Sequence, residues 1–147
     1  MKYSIILDTE REEEIIVYAH KKSTLTDRIE ALVLGESREL IGYSQRGEIV
    51  RIDEYEVTCF SLEDGKLYAI CDGGEYLRMR HRLYELETLL SDDFIKINQS
   101  CIANIKKIKK FDASLSGALS VIFKNGHRDY VSRRQQKSVK ERIGFIL

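Results

Sequence analysis

Apolar and polar residues alternate in short runs from about Leu40 onward, and the runs are punctuated by glycine-containing turns. Ile41-Gly42-Tyr43 and Ile49-Val50-Arg51-Ile52 flank Gln45-Arg46-Gly47. Val57–Leu62 and Leu67–Cys71 flank Asp64-Gly65, and Leu119–Phe123 and Arg128–Val131 flank Asn125-Gly126. Such pairs predict β-hairpins in which glycine supplies the positive φ of a tight turn. Glu75–Met79, Phe94–Ile97 and Ile102–Ile105 add further strands. Two segments have helical spacing instead. In Arg82–Leu90 the residues Leu83, Leu86 and Leu90 recur on one face, and Arg133–Ile143 lies between Ser132, a capping residue, and Gly144. Ahead of these, Ser4–Leu7 and Glu14–Tyr18 are short strand candidates. Thr24 or Thr26 caps a helix that carries Ile29, Leu32 and Val33 on one side and ends at Gly35. The pattern predicts a mainly β, α+β chain: an αβ extension over residues 1–37 and a β-rich domain over 38–147.

Composition narrows the class. The chain has 147 residues, 43% of them apolar, with no proline and no apolar run as long as the ~18 residues of a membrane span. The N-terminus leads into an acidic stretch rather than a signal-peptide core, so the expected compartment is the cytosol. Cys59, Cys71 and Cys101 are widely spaced and form no CxxC. They read as packing residues, and neither a metal nor another cofactor is expected. Asp92-Asp93 is a turn pair, Cys101 and His127 have no nucleophile–base spacing, and no nucleotide-binding or zinc-protease motif occurs. No enzyme is expected.

Charge adds what the zero net charge hides. Residues 1–93 hold 12 Lys and Arg against 21 Asp and Glu, whereas residues 94–147 hold 12 against 3. Such polarity points to a polyanionic partner, the alternative being that the halves neutralise each other within one fold. In the basic half, Asn98-Gln99-Ser100 is a neutral hydrogen-bonding triplet at a strand end. Lys106, Lys107, Lys109 and Lys110 follow within a charged loop. Lysines neutralise phosphates, and Asn or Gln can pair with an adenine edge. Ser132, Arg133 and Arg134 gather a hydroxyl, two guanidiniums and free N–H groups at a helix start, a combination suited to a phosphate or a guanine edge. Gln135 and Lys137 extend that stretch, as do Lys140 and Arg142.

Over about a hundred residues the order and spacing of several motifs resemble the LytTR family of bacterial DNA-binding domains. These are Leu83-Tyr84-Glu85-Leu86-Glu87, the run Phe94-x-Lys96-x-x-x-Ser100-x-Ile102-x-Asn104-x-x-x-Ile108, Asn125-Gly126, and Val131-Ser132-Arg133-Arg134. The resemblance implies an elongated fold of small antiparallel sheets and a sequence-specific regulator of transcription. Its loops enter successive major grooves of double-stranded DNA, and a homodimer reads paired repeats. It implies that the loop of Gln99 and Ser100 is one reader and the Arg133-Arg134 turn the second, with Arg134 as the base contact. Lys66, in the Glu63-Asp64-Gly65-Lys66 turn, matches a DNA-touching position. Lys106 and Lys107 are expected at phosphates. Two positions depart from the family pattern: Asn98-Gln99 stands where His with Arg or Asn is common, and Gly65 replaces a contacting side chain found in some members. Residues 1–37 are too few for a phosphoacceptor domain and would serve for dimerisation or for a partner, which in similar stand-alone regulators is an inhibitory membrane protein. The competing expectation is an interaction module whose basic face docks an acidic protein or an anionic membrane.

Overall fold

A computed structural model describes residues 1–34, 40–115 and 118–144. The chain divides into two compact units, residues 1–38 and 39–147.

The first unit carries one helix, α1 (Thr24–Leu34). Its cap is Ser23, one residue before the nearer of the two expected caps, Thr24. The Ser23 N–H donates to Thr26 Oγ1 at 2.8 Å and the Thr26 N–H to Ser23 Oγ at 3.3 Å, the reciprocal bonding of a capping box. The expected end at Gly35 lies outside the described residues. The expected strands over 4–7 and 14–18 do not form. Both runs have the right composition, but strand propensity is realised only against a pairing partner, and neither run finds one. Ile5, Ile6, Leu7 and Ile15 are all more than 60% exposed.

In the second unit a seven-stranded antiparallel sheet has the order β2-β1-β5-β4-β3-β7-β6, built from β1 (Leu40–Tyr43), β2 (Ile49–Ile52), β3 (Val57–Glu63), β4 (Lys66–Cys71), β5 (Tyr76–Met79), β6 (Phe94–Asn98) and β7 (Cys101–Asn104). Helix α2 (Leu83–Leu89) separates β5 from β6. A three-stranded sheet, order β10-β9-β8, is built from β8 (Ile108–Leu115), β9 (Ala118–Phe123) and β10 (Arg128–Val131), and α3 (Arg133–Ile143) follows. The architecture is mainly β, as expected, although one of its sheets is larger than the small sheets anticipated. No helix among the described residues is long and apolar enough to cross a membrane.

Each face of the large sheet buries its own core. On one face Leu40, Phe60, Leu77, Met79 and Ile102 pack with Leu83 and Leu86 of α2. On the other, Cys59, Ile70, Ile97 and Cys101 pack with Leu119, Val121 and Phe123 of the small sheet and Val139 of α3. Strand β7 lies between the two cores, and all four of its side chains are buried. A strand covered on both faces reads as a continuous apolar run rather than an alternating one, which accounts for Cys101-Ile102-Ala103. Full burial of a side chain such as Phe60 or Phe123 contributes about 1.5–3 kcal/mol.

Strand β8 is the element the sequence reading missed, having taken Lys106–Lys110 as loop. Ile105–Lys107 form a single 3-10 turn, but Lys109 and Lys110 lie within the strand. Pairing with β9 runs Ile108↔Phe123, then Lys110↔Ile122 and Phe111↔Val121, so Lys109 is the extra residue of a bulge.

Candidate nucleic-acid interface

Three turns meet at one end of the second unit. The first, between β3 and β4, is Asp64-Gly65, whose φ angles of 52° and 74° give two successive left-handed residues, the requirement of a two-residue hairpin turn. The second, Gln99-Ser100, joins β6 to β7. The third leads from β10 through Ser132 into α3. Backbone hydrogen bonds connect them: the Leu62 N–H donates to the Ser100 carbonyl at 2.8 Å, and the Ser132 N–H donates to the Ile97 carbonyl at 2.9 Å.

Asn98 completes this framework, and here the structure corrects the expectation that it reaches DNA. Its side chain is buried and its hydrogen-bonding groups are engaged. Nδ2 donates to Asp129 Oδ1 and to the Tyr130 carbonyl, both at 2.8 Å, and Oδ1 accepts the Ser100 N–H at 2.8 Å. It therefore closes the Gln99-Ser100 turn in an Asx geometry and fastens it to the strand that delivers Ser132. Gln99 and Ser100 are exposed at the tip.

Arg133 and Arg134 are exposed in the first turn of α3, with Lys137 exposed one turn further and Gln135 half-buried. Ser132 occupies the cap position with extended backbone (φ −65°, ψ 153°), yet its side chain makes no capping hydrogen bond. The leading N–H groups of a helix have no acceptor within it. The Ser132 hydroxyl, the Arg133 and Arg134 N–H groups and two exposed guanidinium side chains thus belong to one helix start, where an anion is favoured.

Lys106 and Lys107, expected at phosphates, lie apart from this cluster. They follow the far end of β7, opposite the Gln99-Ser100 turn, and both are neutralised. Lys106 Nζ lies 3.3 Å from Asp93 Oδ2, and Lys107 Nζ lies 2.6 Å from Asp72 Oδ2. Lys96 pairs likewise with Glu87 at 3.2 Å. Part of the charge polarity between the halves is thus cancelled inside the fold. Asn104 is a turn builder: its Oδ1 accepts the Lys106 N–H and its Nδ2 donates to the Val57 carbonyl.

Lys66, exposed, lies instead on a groove of about 1080 Å³ that also reaches Gln99. Arg78, Arg80, His81 and Arg82 line it, and none of the groove's side chains is acidic. The sequence reading passed over these arginines. Their signal, basic residues alternating with Leu77 and Met79, is a strand with one charged face, set in a half of the chain that is acidic on balance.

A buried polar cluster is also present. Cys59 and Cys101 lie on neighbouring strands with their side chains fully enclosed, and the thiol beside His127 is Cys59 rather than Cys101. Contact with Cys59 raises the His127 pKa above its ordinary value, against the lowering effect of burial. Pairing with Cys59 and burial both push the Cys101 thiol well up. Enclosed thiols cannot meet a substrate, so this group is structural.

Known proteins resemble the chain in the same region and beyond it. A family model described as the LytTr DNA-binding domain matches residues 47–144. An uncharacterised HTH-type transcriptional regulator of Staphylococcus aureus (strain NCTC 8325 / PS 47) is 32% identical over 151 aligned positions that span 99% of each chain. Its counterpart in strain MSSA476 is 31% identical over the same span. Among solved structures, the LytTr DNA-binding domain of a Bacillus cereus protein described as a methyl-accepting/DNA response regulator superimposes with a TM-score of 0.67. That match is 23% identical and covers 73% of this chain and 97% of that one. On the strength of the matched region and of relatives similar along their whole length, this chain belongs to the LytTr DNA-binding domain family.

Proposed function

We propose that this protein regulates transcription by reading double-stranded DNA with two turns, Gln99-Ser100 and Ser132-Arg133-Arg134, in the major groove, and that it does so as a dimer on paired repeats. One observation carries the reading: turns from different sheets, rich in side chains suited to bases and phosphates, are fastened side by side through Ser132 to Ile97 and through Asn98. In this arrangement Arg134 reads a guanine through its O6 and N7, and Gln99 selects a base at a second position of the same half-site. Arg133 and Lys137 hold phosphates, as does the open start of α3. Lys66 adds a backbone contact from the third turn. Residues 1–37 supply the dimerisation or partner-binding surface, a role consistent with their many exposed apolar side chains.

Selection of bound duplexes from a random pool tests the whole reading, and a paired motif with a defined spacing is the expected product. On the selected duplex Arg134→Ala costs about 1–3 kcal/mol and relaxes preference at one position. Retention of every duplex with equal affinity would instead fit a basic surface that docks acidic proteins or anionic membranes, and would sink the proposal.

A further inference from the structure

Apart from Gln99 and Lys66, the side chains of the groove beside Lys66 have no role in the two-turn reading. Leu77 and Met79 of β5 are buried, so strand alternation sends Arg78 and Arg80 to the opposite, exposed side, and Arg82 follows at the start of α2. The Arg80 guanidinium stacks on the ring of Tyr43, its Cζ 4.7 Å from the centroid, a contact that engages its face and not its N–H edge. Among the described residues, none of Lys66, Arg78, Arg80 and Arg82 is held in a salt bridge. The nearest acids in sequence are otherwise placed. Glu63, Asp64 and Glu75 are outside the groove lining, Glu85 accepts the Arg82 N–H, and Glu87 pairs with Lys96.

A row of unpaired arginines beside a reading turn has a natural ligand in phosphodiester oxygens, which a guanidinium can grip with two parallel hydrogen bonds. Its position fits. From β7 the sheet runs β3, β4, β5, and three strand spacings amount to about 14 Å. A major groove is about 12 Å wide. A duplex that takes Gln99 into its groove therefore brings the flanking backbone to β5. We propose that Arg78, Arg80 and Arg82, together with Lys66, form a phosphate clamp that extends the DNA footprint beyond the two reading turns and adds affinity without sequence preference. The clamp rests on the DNA-reading function proposed above.

The test uses the full chain and the duplex selected by the wild type, with binding followed by fluorescence anisotropy across a salt series. The variant Arg78→Gln/Arg80→Gln removes two exposed cations and is checked for an unchanged thermal midpoint. Each phosphate contact contributes about −0.9 to the slope of log K against log salt. The variant should therefore flatten that slope by about 2 and lower affinity roughly tenfold to hundredfold at 0.1 M salt. The loss should be equal on selected and scrambled duplexes, and Arg78→Lys/Arg80→Lys should restore the slope. A folded Gln variant with wild-type slope and affinity overturns the clamp and leaves the two-turn reading intact. So does a variant that loses only its binding to phosphatidylglycerol vesicles. A wild-type chain that retains no preferred duplex overturns both proposals.

Discussion

Asn98→Ala separates a residue that touches DNA from one that builds the surface touching it. The substitution deletes three hydrogen bonds of 2.8 Å from a site that is 2% exposed. The bond to the Asp129 carboxylate is charge-assisted and worth about 1.5–3 kcal/mol, and each of the other two about 0.5–1.5 kcal/mol. Removal also leaves the Tyr130 carbonyl and the Ser100 N–H without this partner. The expected loss is about 3–5 kcal/mol, a large share of the ~5–15 kcal/mol that holds a typical domain together. With a urea dependence of about 2 kcal/mol per molar, the unfolding midpoint falls by roughly 1.5–2.5 M. Gln99→Ala is the internal control: this neighbour is exposed, and its loss should move stability by no more than ~0.5 kcal/mol. Asn98→Asp should also be severe, since a carboxylate there would face Asp129 and could donate no hydrogen bond. Urea titrations followed by circular dichroism decide the matter. If Asn98→Ala shifted the midpoint no further than Gln99→Ala, the framework role would be wrong.

The far end of the unit yields two further expectations. Lys107→Ala breaks a 2.6 Å pair with Asp72, but the side chains remain 27% and 40% exposed, so the cost is about 1 kcal/mol or less; the salt dependence of DNA binding stays as in the wild type, and a flatter slope would return Lys107 to the interface. Burial and the nearby Glu75, Asp72 and Glu56 carboxylates push the half-buried Cys71 thiol up to about 11. At pH 8 it should alkylate roughly a hundredfold more slowly than a thiol at its ordinary value, a rate readable by mass spectrometry, and free-thiol reactivity would contradict the assignment. The linked sign is negative: the fold keeps a proton that the unfolded chain gives up, so this group's contribution to stability fades as pH climbs from about 9 to 11.

What was legible in the sequence was local. The Asn125-Gly126 turn set the register of β9 and β10, and Ser132 with Gly144 bounded α3, because caps and turns act over a few residues. Strand β8 was hidden because the bulge at Lys109 puts Ile108 and Phe111 three residues apart, a spacing that breaks the period of two. The strands expected over 4–7 and 14–18 erred in the opposite direction, since composition alone cannot supply a partner. For the candidate site, the exposed positions of Gln99, Ser100 and Arg134, at a strand end and a helix start, were readable from the local pattern. The roles of Asn98 and Lys107 were not: their partners lie 31 and 35 residues away in the chain, and only folding brings an Asp129 or an Asp72 to them. The basic groove escaped for a related reason. Summing charge over half the chain conceals three arginines that β5, the residue after it and the start of α2 bring to one groove.

The small sheet is pinned at both ends. Asn98 and Ser132 tie it near the reading turns. At the other end Asn125 Nδ2 reaches Thr58 Oγ1 of β3 at 3.2 Å and the Cys71 carbonyl of β4 at 3.3 Å. A sheet fastened twice cannot slide along its neighbour, so the distance from Gln99 to Arg134 behaves as the fixed opening of a caliper. DNA has no such freedom to compensate: one inserted base pair advances a contact by about 3.4 Å and turns it by roughly 34–36°. Within a half-site the two recognised positions should accordingly tolerate exchange of the bases between them far better than a change in their number. In the proposed dimer, variable spacing would be accommodated only between half-sites, where two protomers rather than two sheets set the interval.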